Sequence, residues 1–87
     1  MEYEILVKPS AEKQLDKLPK SVRARVIASL DDLRGSPRPA GAVKLTDEDD
    51  LWRIRIGDYR VVYAIRDDIL TILIVRVAHR KDVYRGK

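Results

Sequence analysis

The chain has 87 residues, 45% of them hydrophobic and 37% charged, with no cysteine and a formal charge of +4. That composition suits one small globular unit over residues 1–87, with a single core, no linker and a stability that comes from packing without disulfides. The longest apolar run, Ile69 to Val75, is too short to cross a bilayer and contains Thr71, and Met1-Glu2-Tyr3-Glu4 lacks the basic start and apolar run of a signal peptide. No membrane association is expected, and the cytoplasm is the expected location, in keeping with the absence of cysteine.

Residues 1–50 hold nine Lys/Arg against ten Asp/Glu, a net −1, whereas residues 51–87 hold nine against four, a net +5. A polyanion would meet the second half. From the start, Glu2 to Lys8 alternates Tyr3, Ile5 and Val7 against Glu2, Glu4 and Leu6, a short strand stopped by Pro9. Ser10 is placed to cap a helix whose apolar stripe runs from Ala11 through Leu15 to Leu18. Pro19 ends it and starts a second helix carrying Val22, Val26, Ile27, Leu30 and Leu33. Arg34-Gly35 and Ser36-Pro37 stop that helix, Pro37 to Gly41 is a loop, Ala42 to Leu45 a short strand and Thr46 to Asp50 an acidic turn.

Leu51 to Ile56 and Tyr59 to Arg66 read as strands joined by a Gly57-Asp58 turn. Asp67-Asp68 makes a second break, Ile69 to Ala78 is apolar on both faces like a covered central strand, and His79 to Lys87 is a basic tail. The expected fold is α+β: a strand, a two-helix hairpin, then an antiparallel meander forming a small sheet with the helices packed on one face.

With Gly57-Asp58 as a two-residue loop, Arg55 faces Arg60, Ile54 faces Val61, Arg53 faces Val62 and Trp52 faces Tyr63. Trp52, Ile54, Ile56, Tyr59, Val61 and Tyr63 then form one apolar face for the helices, and Arg53, Arg55, Arg60 and Arg66 share the other. A three-residue loop would flip one strand and scatter that cluster. Like charges opposite each other on a hairpin are destabilising, so the arrangement points to a face that expects a polyanion, with guanidiniums gripping phosphates bidentately. A face that is basic only for solubility would show the same spacing. Taking Asp67-Asp68 as the second loop pairs Arg60 with Val75 and Val62 with Leu73, which extends the arginine face to Val77 and His79.

The run Lys8-Pro9-Ser10-Ala11, then Gly35-Ser36-Pro37-Arg38-Pro39, then Lys44-Leu45, then Leu51-Trp52-Arg53-Ile54-Arg55-Ile56-Gly57-Asp58-Tyr59-Arg60-Val61-Val62-Tyr63, and finally His79-Arg80-Lys81-Asp82-Val83-Tyr84 closely resembles the RelE branch of the RelE/ParE toxin superfamily. The resemblance covers nearly the whole chain. It implies a toxin of a type II toxin-antitoxin pair that enters the ribosomal A site, contacts ribosomal RNA and cuts mRNA there. It also implies a RelB-like antitoxin that wraps an extended segment around the toxin. By the same resemblance Arg53 and Arg55 match the basic pair of the hairpin's first strand, Arg60 the arginine of its second, Arg80 the later arginine and Tyr84 the tyrosine near the C-terminus. His79 stands where many relatives have a histidine or another basic residue.

RNA carries its own nucleophile, so cleavage needs the 2′-OH deprotonated, the phosphorane's negative charge stabilised and the leaving 5′-oxygen protonated. Neither a metal nor another cofactor is expected: the chain has one histidine and no cysteine, and its carboxylates collect in turns at Asp47 to Asp50 and Asp67-Asp68. Arg60 and Arg80 suit charge stabilisation. The best-known relatives have lysines where this chain has Arg53 and Arg55, and a guanidinium is a poor base. Those two arginines are therefore expected to hold substrate phosphates or ribosomal RNA, with Tyr84 or His79 left for proton transfer. Two other readings share the sequence: a ParE-like toxin acting on DNA gyrase, and a non-catalytic nucleic-acid-binding domain.

Overall fold

The computed structural model describes residues 2–46 and 50–82. The chain forms β1 (Glu4–Val7), α1 (Pro9–Asp16), α2 (Lys20–Leu33), β2 (Val43–Thr46), β3 (Leu51–Ile56), β4 (Tyr59–Arg66), a 3-10 turn (Asp67–Ile69) and β5 (Thr71–His79). The strands lie in the order β1-β5-β4-β3-β2, with β1 parallel to β5 and every other pair antiparallel. The α+β class is as expected, and the parallel docking of β1 makes the sheet mixed.

Two prolines place the helices. Pro9 occupies the first turn of α1, where its missing N–H costs no hydrogen bond and its fixed φ suits the helix. Ser10 therefore lies inside the helix instead of capping it, and no side chain caps α1. Pro19, at φ −55°, is the residue from which α2 departs. Ala11 and Leu15 of α1 and Val26, Leu30 and Leu33 of α2 pack on one sheet face. They meet Ile54, Ile56, Val61, Tyr63, Ile65, Ile72, Ile74 and Val77 there.

Tyr63 is wholly buried, and its hydroxyl donates to the Pro37 carbonyl at 2.7 Å, tying the loop after α2 to the sheet. Burial pushes its phenol up to about 12. Arg38, in the same loop, donates to Asp67 at 2.8 Å and to Asp50 at 2.9 Å. Its guanidinium lies 5.5 Å from the centre of the Trp52 ring. The Trp52 indole N–H in turn donates to Asp50 at 2.7 Å, and the Tyr3 hydroxyl donates to Asp67 at 2.6 Å. The Arg38 bond first, and then the Tyr3 bond, hold the Asp67 carboxyl below its ordinary range.

β5 is an interior strand, between β1 and β4, but its register departs from the two-residue Asp67-Asp68 loop. Arg66 pairs with Thr71, so four residues make the connection, and an extra residue at Val75 separates the Tyr63↔Ile74 pair from Val62↔Arg76. Arg60 consequently pairs with Ala78, not Val75, and Val62 with Arg76, not Leu73. The turn is lengthened because Asp67 is engaged by Arg38 and Tyr3 and opens a 3-10 turn that Leu70 closes at φ +50°. The bulge follows from the core residues themselves. Ile72, Ile74 and Val77 are all buried, and a regular strand cannot turn residues 74 and 77 to the same side. The outer face of β5, expected to be covered, is only half-buried at Leu73, Val75, Arg76 and Ala78. β1 ends opposite Ile74, and beyond it α1 closes the strand edge: the Gln14 side-chain carbonyl accepts the Val77 N–H at 2.7 Å.

Tyr63→Phe leaves the Pro37 carbonyl without its donor and is expected to cost about 1 kcal/mol, or roughly 4–8 °C in Tm for a domain of this size. Thermal denaturation followed by circular dichroism measures it, and an unchanged Tm would show that the loop is not held through this bond. The Asp67 carboxyl titrates below its unfolded-state value, so its stabilisation is complete above that value and is lost as pH falls through the folded one. The acid limb of Tm against pH is therefore expected to be shallower in Asp67→Asn than in the parent. The group is exposed, so the difference is small, and identical limbs would contradict the assignment.

An arginine face as the candidate functional site

The β3–β4 register is the one a two-residue turn demands: Ile56 faces Tyr59, Arg55 faces Arg60, Ile54 faces Val61, Arg53 faces Val62 and Trp52 faces Tyr63. Gly57 alone of the two turn residues has positive φ, at +60°, which matches a type II′ turn with glycine at its first central position. Parity sends Ile54, Ile56, Val61 and Tyr63 into the core and Arg53, Arg55 and Arg60 to the opposite face. Arg66 has the same parity but sits six residues beyond Arg60, about 20 Å along the strand, and so falls outside the cluster.

Arg80 reaches the cluster from the end of β5. Its main-chain N–H donates to the Asp58 carbonyl at 2.7 Å, and its Nε lies 3.8 Å from the Asp58 carboxylate. Arg60 senses the convergence. Its guanidinium is held below the ordinary arginine range by desolvation first, then by the positive charges of Arg55, Arg53 and Arg80, with Asp58 opposing. It remains cationic at neutral pH, since a guanidinium does not give up its proton there. Among the described residues Arg55 and Arg60 make only long bonds, to the Gly57 and Tyr59 carbonyls at 3.4 and 3.3 Å. Most of their five N–H donors each are thus left for a ligand.

The β5 bulge changes the rest of the expected face. Val77 turns into the core and His79 pairs with Tyr59, on the core-side parity, so neither extends the arginine face. The His79 ring stands edge-on to Tyr59, with centroids 5.3 Å apart, and its Nδ1 accepts the Lys81 N–H at 3.2 Å. Arg76 and Ala78 take the places expected for Leu73 and Val75, opposite Val62 and Arg60. Sequence reasoning missed Arg76, although the odd step between apolar residues 74 and 77 was a sign of the bulge that exposes it. The Arg76 Nη2 donates to the Asp82 carbonyl at 2.7 Å, and its Nε is buried with no hydrogen-bond partner among the described residues. Tyr84 and Asp47 to Asp49 of the acidic turn lie outside the described residues.

Trp52, expected on the core side, is partly buried against the core and held by Asp50 and Arg38. Among the described residues no three His, Asp or Glu side chains come together as a metal site, and no helix is long and apolar enough to cross a membrane. Arg53, Arg55, Arg60 and Arg80 together offer planar, fixed donors to an anion with several oxygens.

A family model for the ParE toxin of the type II toxin-antitoxin system parDE matches residues 5–84. The chain is similar to toxin RelG of Mycobacterium tuberculosis, with 34% identity over 98% of this chain and 99% of the relative. It is also similar to toxin RelE of the same organism, with 32% identity over 95% of this chain and 87% of the relative. Among solved structures it resembles the archaeal RelE in the RelE-RelB complex from Pyrococcus horikoshii OT3. There the TM-score is 0.84 at 32% identity, over 95% of this chain and 100% of the other.

Arg55→Glu replaces a facing like-charge pair by an opposite one and is expected to stabilise the fold by roughly 0.2–1 kcal/mol, while weakening binding to RNA. Thermal melts at low salt and a filter-binding titration measure the two effects. A lowered Tm with unchanged RNA affinity would show that the face neither stores repulsion nor binds RNA.

Proposed function

The chain belongs to the RelE/ParE family of type II toxin-antitoxin toxins, as a RelE-like toxin, and on that footing we propose that it is a ribosome-dependent endoribonuclease that cuts mRNA in the ribosomal A site. The observation that carries this reading is the placement of Arg53, Arg55 and the half-buried Arg60 together on the sheet face away from the core, with Arg80 held beside them at the Asp58 turn. Such a cluster is electrostatically unfavourable in the free protein and favourable once a phosphodiester lies over it.

In the reaction the 2′-oxygen attacks the adjacent phosphorus as its proton passes to a base. The bond from phosphorus to the 5′-oxygen then breaks, and that oxygen takes up a proton. The products are a 2′,3′-cyclic phosphate and a 5′-hydroxyl. Arg60 and Arg80 stabilise the phosphorane, because donors fixed before the reaction need not reorganise as charge develops. Arg53 and Arg55 hold flanking phosphates or ribosomal RNA. Proton transfer falls to Tyr84 or His79. With its Nδ1 accepting the Lys81 N–H and its ring against Tyr59, His79 has only Nε2 for that work, which favours Tyr84.

The archaeal relative was solved as a complex with RelB. We extend that partnership to this chain as a cognate RelB-like antitoxin, encountered in the cytoplasm. The ParE family match favours one other reading, a toxin directed at DNA gyrase that cuts nothing.

Primer extension on an mRNA with and without stalled ribosomes tests the nuclease directly. Cleavage is expected only with ribosomes, slowed about 10²–10³-fold in Arg60→Ala, as for loss of one preorganised donor. Arg60→Ala and Tyr84→Ala are each expected to relieve growth arrest while keeping the parent's circular dichroism. Intact mRNA in the presence of active ribosomes, with inhibited gyrase supercoiling, would favour the gyrase reading. Binding to single-stranded RNA is expected to weaken with salt at a log–log slope of about −0.7 per phosphate neutralised, or about −3 for four arginines. The double change Arg53→Gln, Arg55→Gln should flatten that slope by about 1.4, and an unaltered slope would remove those two from the interface.

A further inference from the structure

Arg80 is carried by a short turn at the end of β5; the Lys81 N–H donates to His79 Nδ1 within it, and three further bonds fix its two ends. Its main-chain N–H donates to the Asp58 carbonyl at 2.7 Å, fixing the near end to the β3–β4 hairpin. The Asp82 N–H donates to the His79 carbonyl at 2.8 Å, closing the turn on itself. The third bond comes from the strand below, where the Arg76 Nη2 donates to the Asp82 carbonyl at 2.7 Å and ties the far end to the sheet.

Arg76 is an unusual residue for this place if its task is only to be polar. It shares the arginine face, in the row Arg76, Val62, Arg53, so it adds positive charge beside like charges. Its Nε is buried without a hydrogen-bond partner among the described residues, an arrangement that costs stability where a small or apolar side chain would not. What a guanidinium supplies there is reach: a donor projecting from an interior strand to a carbonyl six residues later in the chain.

We propose that Arg76 is a positioning residue of the cleavage site, acting through the Asp82 carbonyl to hold the Arg80 turn against the hairpin and so keep the Arg80 guanidinium in the cluster around Arg60. For its catalytic consequence this rests on the nuclease reading above; for the clamp itself it does not.

The experiment pairs single-turnover cleavage on A-site-programmed ribosomes with amide hydrogen exchange of the free toxin, for Arg76→Ala, Arg80→Ala and the double variant. In Arg76→Ala, exchange at Arg80 and Asp82 is expected to speed up at least tenfold while Val61 and Tyr63 keep the parent's protection. The cleavage rate at saturating toxin should fall at least tenfold with ribosome affinity within threefold. The double variant should cleave no more slowly than Arg80→Ala, because Arg76 works through Arg80. Arg76→Lys keeps one donor and should recover most of the protection, and it replaces the alanine variant should that fail to fold. Unchanged exchange at Arg80 and Asp82, or a double variant slowed by the product of the two single effects, would overturn the proposal. If the parent cleaves no mRNA, the nuclease reading fails, and hydrogen exchange still decides the clamp.

Discussion

Between Ile56 and Tyr59 the chain reverses in two residues, and the positive φ of Gly57 lets it do so without strain. A turn that short allows β3 and β4 a single register, and that register sorts the side chains between core and surface. Burying Ile54, Ile56, Val61 and Tyr63 contributes about 1.5–3 kcal/mol for each large apolar side chain. Setting Arg55 opposite Arg60 costs about 0.2–1 kcal/mol. The core therefore imposes the register, and the repulsion between the arginines is carried along with it. The arginine face is in this sense a by-product of the apolar one: any slip that relieved the arginines would also turn Ile54 and Val61 to water.

β5 serves the same end by a different device. Its buried residues step from Ile74 to Val77, which a regular strand cannot follow, and the extra residue at Val75 restores the core side at the expense of the ladder. Gln14 supplies an acceptor for the Val77 N–H where β1 no longer runs alongside. The altered parity then places Arg76 on the arginine face and directs the strand end so that Arg80 meets the hairpin turn at Asp58.

Two groups of arginines differ in their surroundings. Arg38 is bound into a structural network by Asp67 and Asp50 over the Trp52 ring, with Tyr3 completing the set. At Arg60, instead, desolvation and then the charges of Arg55, Arg53 and Arg80 lower the affinity for the proton, with Asp58 the opposing charge. The first group fastens the loop after α2 and the connection before β5 to the fold, and in the second Arg55 and Arg60 make only long bonds among the described residues.

Local chemistry explains what could be read from the residues alone. Prolines at 9 and 19, the alternation from Leu51 to Tyr63 and the Gly57-Asp58 turn determined the helices, the β3–β4 hairpin and the side on which Arg53, Arg55 and Arg60 stand, because each depends on neighbours close in sequence. The basic second half and the motif ending at Tyr84 indicated the toxin family before any coordinate. Contacts between distant segments decided the rest. The parallel docking of β1 on β5, the Arg38 and Tyr3 bonds that turn Asp67 into the start of a 3-10 turn, and the bulge that removes His79 from the arginine face and brings Arg76 to it all depend on residues tens of positions apart. Parity counted from a loop holds only until a strand must satisfy a second neighbour, and in β5 the helices above and β4 beside it set the terms.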